Sequence, residues 1–326
     1  MSVWTDRGAI TPRARSAVGV ALIVISGLAV AGCGRDAPPP DSDTPAATAT
    51  RLHTYVSSPA ALLANAYVLE SEGGLIVVDA TLTVSDARKL RSLVDSLTKP
   101  LLAVFVTHGH PDHYNGLTAL VAGLPSVPIY ATEGVDRVIR EWDARREQQW
   151  RGTFGAEWPA VRTFPTHTVA GGTTVTIDGV RLTAHDLGPG ESHHDAYWTA
   201  AGSEAYAFVG DLVFSGEHAY VSDGHTARWM RTLEELRSTF AEARLLPGHG
   251  PPGGVELLTE QLAYLQEYRS EVSRLAQGRT RLSDAQEAEL TERMSAFRPS
   301  ATLTFLIGIG ADAVAAELAA EASARP

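Results

Sequence analysis

Cysteine is almost missing from this sequence: of 326 residues only Cys33 carries a thiol. A single thiol excludes an intramolecular disulfide, and its place in an apolar leader excludes a cysteine nucleophile in the body of the chain. Basic clusters are missing too. Lys and Arg number 27 against 38 Asp and Glu, for a formal charge of −11, and no Lys/Arg run stands out beyond the leader. A nucleic-acid partner calls for a basic face, so none is expected. Neither a G-x-S-x-G nucleophile elbow nor a P-loop occurs. What is present is ordinary globular composition, 44% hydrophobic and 20% charged, long enough for one large domain or two modest ones.

Long apolar runs are confined to the N-terminus. Arg7, Arg13 and Arg15 precede "AVGVALIVISGLAVAG", which ends at Cys33. This is the pattern of a secretory signal and is short for a membrane span. Small residues directly before a cysteine, "VAGC", resemble a bacterial lipoprotein cleavage box. The resemblance implies a signal peptide over residues 1–32, cleavage before Cys33 and lipid attached to its sulfur. A plain signal peptide or an uncleaved anchor is the competing reading. Residues 33–50 are rich in Pro, Ala, Ser, Thr and Asp without apolar period, and read as a flexible tether. The expected location is the bacterial cell envelope, with the protein lipid-anchored on the extracytoplasmic side. Gly34 stands where an Asp would favour inner-membrane retention, so outer-membrane sorting stays open.

From residue 51 the pattern becomes dense. "LHTYVSS", "NAYVLES" and "GLIVVDA" read as strands. "TVSDARKLRSLVDSL" has helical spacing, and "LLAVFVTH" reads as a strand buried on both faces. A helix over 114–122, the strand "VPIYAT" and a charged helix over 133–150 follow. Strands dominate 161–214, with the hairpin signal Asp178-Gly179 among them. A helix near 228–243, the strand "ARLLPGHG" and a mostly helical stretch from 255 complete the chain. Two blocks of strands with interleaved helices predict two sheets packed face to face, with helices outside. The domain is set at 51–254 and a helical C-terminal extension at 255–326. "SATLTFLIGIGADAVAAELAAE" is apolar enough to dock on the body or to form a dimer contact, and "LIGIG" is too short to span a membrane.

Three histidines and an aspartate crowd into "THGHPDH". His108, His110, Asp112 and His113 form H-x-H-x-D-H directly after a buried strand. Imidazole and carboxylate suit zinc, and also iron or manganese. Two metals about 3.5–4 Å apart can share one hydroxide, a strong nucleophile at neutral pH. A His-rich exposed loop without metal is the bland reading, and four ligand types at the end of a buried strand oppose it.

The motif resembles that of the metallo-β-lactamase-fold superfamily of hydrolases. Further pieces occur in that family's order: "YAFVGDLVF" resembles its strand ending in Gly-Asp, and "LLPGHG" its last ligand turn. The resemblance covers roughly residues 51–252 and implies an α/β (α+β) fold, a four-layer αββα sandwich with the site at one sheet edge. It implies two zinc ions per chain: His108 and His110 on one, Asp112, His113 and His249 on the other, and Asp211 bridging both. Asp112 is the catalytic candidate, orienting the nucleophile and shuttling a proton to the leaving group.

One position departs from the family's pattern. A third histidine usually comes from a Gly-x-Gly-His loop, but here the loop reads "LGPGESHHDAYW". Direct register places Glu191 there, with His193 and His194 two and three residues later. Either Glu191 binds metal, or the loop bends so that His193 or His194 does, or the first metal is weakly held. Glu191 is preferred, as ligand or close support. His218 and His225 could line a cleft or be solvated; His167 and His185 read as structural, His53 has no local partner, and Trp229 reads as core.

The expected function is hydrolysis of an ester, thioester, lactone or amide-type bond in a small molecule. A true β-lactamase is less favoured. One group of those carries Cys where Asp211 stands; another keeps His at the Glu191 position and does not use the bridging Asp. The lactonases' helper tyrosine is replaced by Phe214. A mononuclear iron oxidoreductase of the same fold and a non-catalytic binding lipoprotein are the other classes. Oligomeric state is not legible.

Overall fold

In the computed structural model, residues 50–201 and 204–324 are described. The segment expected to be a signal peptide, Cys33 and nearly all of the expected tether lie outside the described residues. The first sheet is built by β1 (Arg51–Val56), β2 (Asn65–Glu70) and β3 (Leu75–Val78), then α1 (Val84–Ser96), β4 (Leu101–Phe105), two single helical turns, α2 (Pro111–Tyr114) and α3 (Leu117–Leu120), β5 (Ile129–Thr132), α4 (Glu133–Phe154) and β6 (His167–Val169). Its order is β1-β2-β3-β4-β5-β6, antiparallel up to β3 and parallel beyond it. The second sheet contains β7 (Thr174–Ile177), β8 (Val180–Gly188), β9 (Asp195–Ala201), β10 (Ala205–Phe214) and, after α5 (Thr226–Leu236), β11 (Arg244–His249). Its order is β11-β10-β9-β8-β7, with only β10 and β11 parallel. The Asp178-Gly179 hairpin joins β7 to β8, both residues having positive φ as a type I′ turn requires.

The predicted αββα sandwich follows from where the apolar side chains go. β2 alternates strictly: Tyr67 and Leu69 face the second sheet, while Ala66 and Val68 face outward to the helices. Both faces are covered, so β3 and β4 are apolar throughout. Between the sheets Phe105, Trp198 and Phe208 fill the space, and Trp198 donates from Nε1 to the Val106 carbonyl at 3.0 Å. A helical layer including α1 and α4 covers the first sheet and α5 the second. Trp229, wholly buried, donates to Leu212 O at 2.9 Å, as a core residue should.

The chain continues into α6 (Glu256–Ala276), α7 (Asp284–Phe297), α8 (Phe305–Ile309) and α9 (Ala311–Ser323). These helices dock on the body: Tyr264, Tyr268, Leu290, Met294 and Ile307 share one core with Val209, Val213 and Leu233. Among the described residues no helix is long and apolar enough to cross a membrane.

Two expectations change. The helix predicted over 114–122 is two single turns, because Gly116 lies against Ala80 and a Cβ there would meet Ala80 O at 1.9 Å. Asn115 turns inward and donates to Leu82 O at 2.7 Å. The helix predicted to reach 243 ends at Leu236, where Arg237, Ser238 and Thr239 carry no apolar period. His53, without a local partner, meets Glu70 at 2.9 Å across the β1–β2 pair, 17 residues away.

Candidate metal centre

The centre forms where strand ends from both sheets meet. β4 ends at Phe105 and delivers His108 and His110 on the extended segment before α2; that short helix then turns Asp112 and His113 toward a second point. β10 brings Asp211, and β11 ends on His249. The turn before β9 supplies Glu191. It is tied to the histidine loop by a bridge between His108 and Asp195 and by Ala196 N donating to Thr107 O at 3.0 Å.

Two four-residue groups result, both buried. His108, His110, Glu191 and Asp211 form one; Asp112, His113, Asp211 and His249 form the other. Within each group the candidate ligand atoms lie within 4.8 Å of one another. Asp211 belongs to both. Its Oδ1 lies 3.3 Å from His113 Nε2, while its Oδ2 lies 3.4 Å from His249 Nε2 and 3.8 Å from His108 Nε2. Glu191 Oε2 approaches His110 Nδ1 at 2.9 Å and His108 Nε2 at 3.6 Å. Asp112 Oδ2 is 3.2 Å from His249 Nε2 and 3.6 Å from His113 Nε2.

These residues fit metal ions on grounds independent of resemblance. Ten buried side-chain polar atoms lack a hydrogen-bond partner among the described residues, and five of them converge here: His108 Nε2, His113 Nε2, both Glu191 oxygens and Asp211 Oδ1. Buried polar atoms are normally paired, so a cluster of orphans aimed at common points calls for a cation. The outward nitrogens are occupied instead. His108 Nδ1 meets Thr107 Oγ1 at 3.0 Å, His110 Nε2 meets Asp223 at 3.3 Å, His113 Nδ1 meets Asp79 at 2.9 Å, and His249 Nδ1 meets Leu62 O at 2.9 Å. A ligating histidine holds its ring in this way, with the far nitrogen on a carboxylate, carbonyl or similar partner. The two groups fit a dinuclear metal site.

The electrostatics agree. Burial works to raise Asp211, but His249, His113 and His108 outweigh it and hold the carboxyl well below its ordinary range. Burial likewise opposes charge on His249, yet Asp211 and Asp112 draw it up to about 9. Burial and the neighbouring Asp211 push Glu191 well above the ordinary carboxylate range. Cations bound among these groups would displace their protons.

Two glycines make the packing possible. Gly248 precedes the last ligand with no room for a side chain: a Cβ would lie 1.9 Å from Asp211 Oδ1. Gly210 adopts φ 51°, letting β10 bend directly before Asp211.

His193 and His194 lie outside both groups. His193 Nδ1 is 2.9 Å from His225 Nε2, and its ring lies tilted against Trp142 with centroids 4.2 Å apart. His194 Nε2 is 2.8 Å from Asp186, its ring seated over Gly134, where a Cβ would meet it at 2.0 Å. His218 is wholly buried, 3.3 Å from the Tyr264 hydroxyl, so it belongs to the core. His185 stacks on Tyr197 at 4.3 Å and pairs with Thr199, as a structural residue should.

Three carboxylates escaped the sequence reading. Asp195 accepts from Glu191 N at 2.6 Å and Ser192 N at 3.1 Å, fixing the turn that presents Glu191; burial pushes its own carboxyl up to about 7. Asp223 backs His110. Asp79 accepts from Thr107 N and Oγ1 at 2.9 and 2.8 Å as well as meeting His113. Asp79 ends a wholly apolar run, "LIVVDA", and that contrast was a usable signal. Asp79→Ala is expected to leave all seven candidate ligands in place and weaken metal affinity about 10- to 100-fold. Competition with a calibrated chelator measures it; unchanged affinity would remove Asp79 from the site.

Above the seven side chains opens a cleft of about 410 Å³. His110, Asp112, Glu191, Asp211 and His249 form its floor. Its walls are mostly apolar and include Trp150 and Phe154 of α4, with Phe305, Leu306 and Ile309 of α8. Residues 60–249 match the model of the metallo-beta-lactamase superfamily. That is more than half of the chain, and the protein belongs to this superfamily, which includes hydrolases. Among curated relatives, a "Metallo-beta-lactamase type 2" of Bacteroides fragilis is 28% identical over 115 residues, 34% of this chain and 45% of its own. A "Hydroxyacylglutathione hydrolase" of Neisseria meningitidis serogroup A is 25% identical over 147 residues, 45% of each chain. The chain thus spans about half the length of these relatives. A solved beta-lactamase domain protein from Burkholderia ambifaria shares the fold at TM-score 0.63 and 21% identity, covering 87% of this chain and 92% of its own.

Proposed function

We propose that the protein is a metal-dependent hydrolase that cleaves an ester, thioester, lactone or amide-type bond in a small molecule. The observation that carries this is the pair of buried ligand groups sharing Asp211, with orphaned atoms turned toward an apolar cleft. His108, His110 and Glu191 would hold one ion, Asp112, His113 and His249 the other, and Asp211 both. Zinc suits these donors; iron and manganese do as well. Such ions supply a water-derived nucleophile at neutral pH and polarise the electrophile.

The chain's own residues do the rest. Asp112 borders the cleft, and His113 and His249 hold it below the ordinary range against the effect of burial, so it is a carboxylate able to accept and pass on a proton. Phe214 stacks flat on the His249 ring at 4.9 Å, interplanar angle 5°, and fixes its plane. The apolar walls keep bulk water from the electrophile. Two complete ligand groups favour hydrolysis over single-iron chemistry and over a degenerate binding protein. The test is elemental analysis of the chain from residue 51, followed by screening of thioesters, lactones and β-lactams. Close to two ions with turnover supports the reading; a single iron or no metal overturns it.

The envelope location is part of this proposal and rests on the leader. Cys33→Ser is expected to move the protein from the membrane to the soluble fraction. Retention on the membrane would make the leader an uncleaved anchor.

A further inference from the structure

α4 carries a stripe at helical spacing. Trp142, Arg146, Trp150 and Phe154 follow one another at i, i+4, i+8 and i+12, so they share one face of the helix. Arg146, Trp150 and Phe154 line the cleft over the metal centre. Trp142, Arg146 and Trp150 line a second cavity of about 250 Å³, together with Arg145 and His193. Arg146, Trp150 and Tyr220 border both, so the two spaces adjoin along these three residues.

Arg146 is the unusual member. Its side chain is only 8% exposed. Among the described residues it donates no hydrogen bond, and its one ionic neighbour is Asp223, at 3.9 Å. That carboxylate is already engaged, by His110 Nε2 at 3.3 Å and His193 N at 3.2 Å. A guanidinium this enclosed, with five N–H donors, no protein acceptor within hydrogen-bond reach among the described residues and a cavity beside it, is placed to bond a ligand there. Arg145 adds a second positive charge on the same cavity, its guanidinium 4.9 Å from the Trp142 ring centre. Two guanidiniums against one carboxylate leave a positive surplus here, in a chain whose formal charge is −11. The first cleft, in contrast, has mostly apolar walls.

We propose that the second cavity is an anion subsite and that the natural ligand is amphipathic, with an apolar group lying in the cleft and a carboxylate, sulfonate or phosphate held by Arg146. This deepens the hydrolase reading by naming the substrate's chemical class. A planar fork reaches such an anion through paired hydrogen bonds, a geometry that lysine does not offer.

The probe is anilinonaphthalene sulfonate, an aromatic anion that fluoresces when bound, set against its uncharged counterpart N-phenylnaphthylamine. Both are titrated into the metal-loaded protein and into Arg146→Gln. The sulfonate is expected to bind the variant about 10- to 100-fold more weakly, the loss of charge-assisted hydrogen bonds. The neutral probe should bind both proteins alike, and metal content should not change. An unchanged sulfonate affinity overturns the subsite. So does an equal loss for both probes, which would give Arg146 only a packing role. A fall in metal content would make Arg146 a support of His110 through Asp223, and would also overturn it. Should Arg146→Gln not fold, Arg145→Gln alters an exposed side chain of the same cavity; the sulfonate should then bind several-fold more weakly, and no loss overturns the proposal. The readout is binding, so a chain that binds the sulfonate through Arg146 but hydrolyses nothing would refute the hydrolase and keep the subsite.

Discussion

Asp211→Ala is expected to strip both metal ions from the protein, whereas Glu191→Ala should remove only one. Asp211 is the residue common to the two ligand groups, one oxygen turned to His113 and the other lying between His108 and His249. Deleting it leaves each site with two histidines and one carboxylate and removes the group that holds the two ions together. Glu191 serves only the first group, so its loss leaves Asp112, His113, Asp211 and His249 intact. Elemental analysis after gel filtration should therefore fall from close to two ions per chain to near none in the first variant and about one in the second. Two ions retained in Asp211→Ala would mean that the carboxylate does not bridge. Two retained in Glu191→Ala, with a loss on His193→Ala, would return the ligand role to the histidines after it.

The difference between these residues also explains what was readable in the sequence. His108, His110, Asp112 and His113 are contiguous because one loop after one buried strand presents them all, and such local density survives without a structure. Asp211 and His249 are single residues, but Asp211 lies within and His249 ends an apolar strand, each next to a glycine, and the tight packing that demands Gly210 and Gly248 leaves its mark in "VGD" and "PGHG". Glu191 was located by register alone. What fixes it is Asp195 beneath the turn, which bonds the backbone of residues 191 and 192 while His193 and His194 leave for Trp142 and Asp186. Nothing in "ESHHD" says which of three neighbouring side chains turns inward. Asp79 and Asp223 reach the histidines only through tertiary folding, 34 and 113 residues away in sequence. The stripe on α4 was present at spacing 4 throughout but was hidden in a helix that reads as charged. The strands β2 to β4 were legible because both of their faces are buried, whereas the break at Asn115-Gly116 depended on contacts with distant residues.

Asp112→Asn should separate holding metal from turning over substrate. The change keeps shape and volume and removes the charge. Asp112 lies between two tasks: Oδ2 faces His249 and His113, while the side chain also borders the cleft where substrate must enter. An amide oxygen still donates a lone pair to a cation, so the second ion should be held more weakly but recovered at raised metal concentration. The proton-accepting function cannot be recovered, because an amide is not a base near neutral pH. Turnover at saturating metal is therefore expected to fall about 10²- to 10⁴-fold, the usual worth of a positioned acid–base group. Asp112→Glu keeps the base but displaces it, and its loss should be smaller and accompanied by a shift in metal affinity. The comparison needs kcat with metal content measured on the same samples. Full activity in a metal-replete Asp112→Asn protein would confine Asp112 to metal binding and require another base at the cleft. Of the polar side chains bordering it, Glu191 is raised by burial and by Asp211, and Tyr220, also raised by burial, has its hydroxyl 3.5 Å from Asp223 Oδ1. Tyr220 is thus un-ionised at neutral pH, and Glu191 would be held by the first ion, so neither stands ready to replace Asp112.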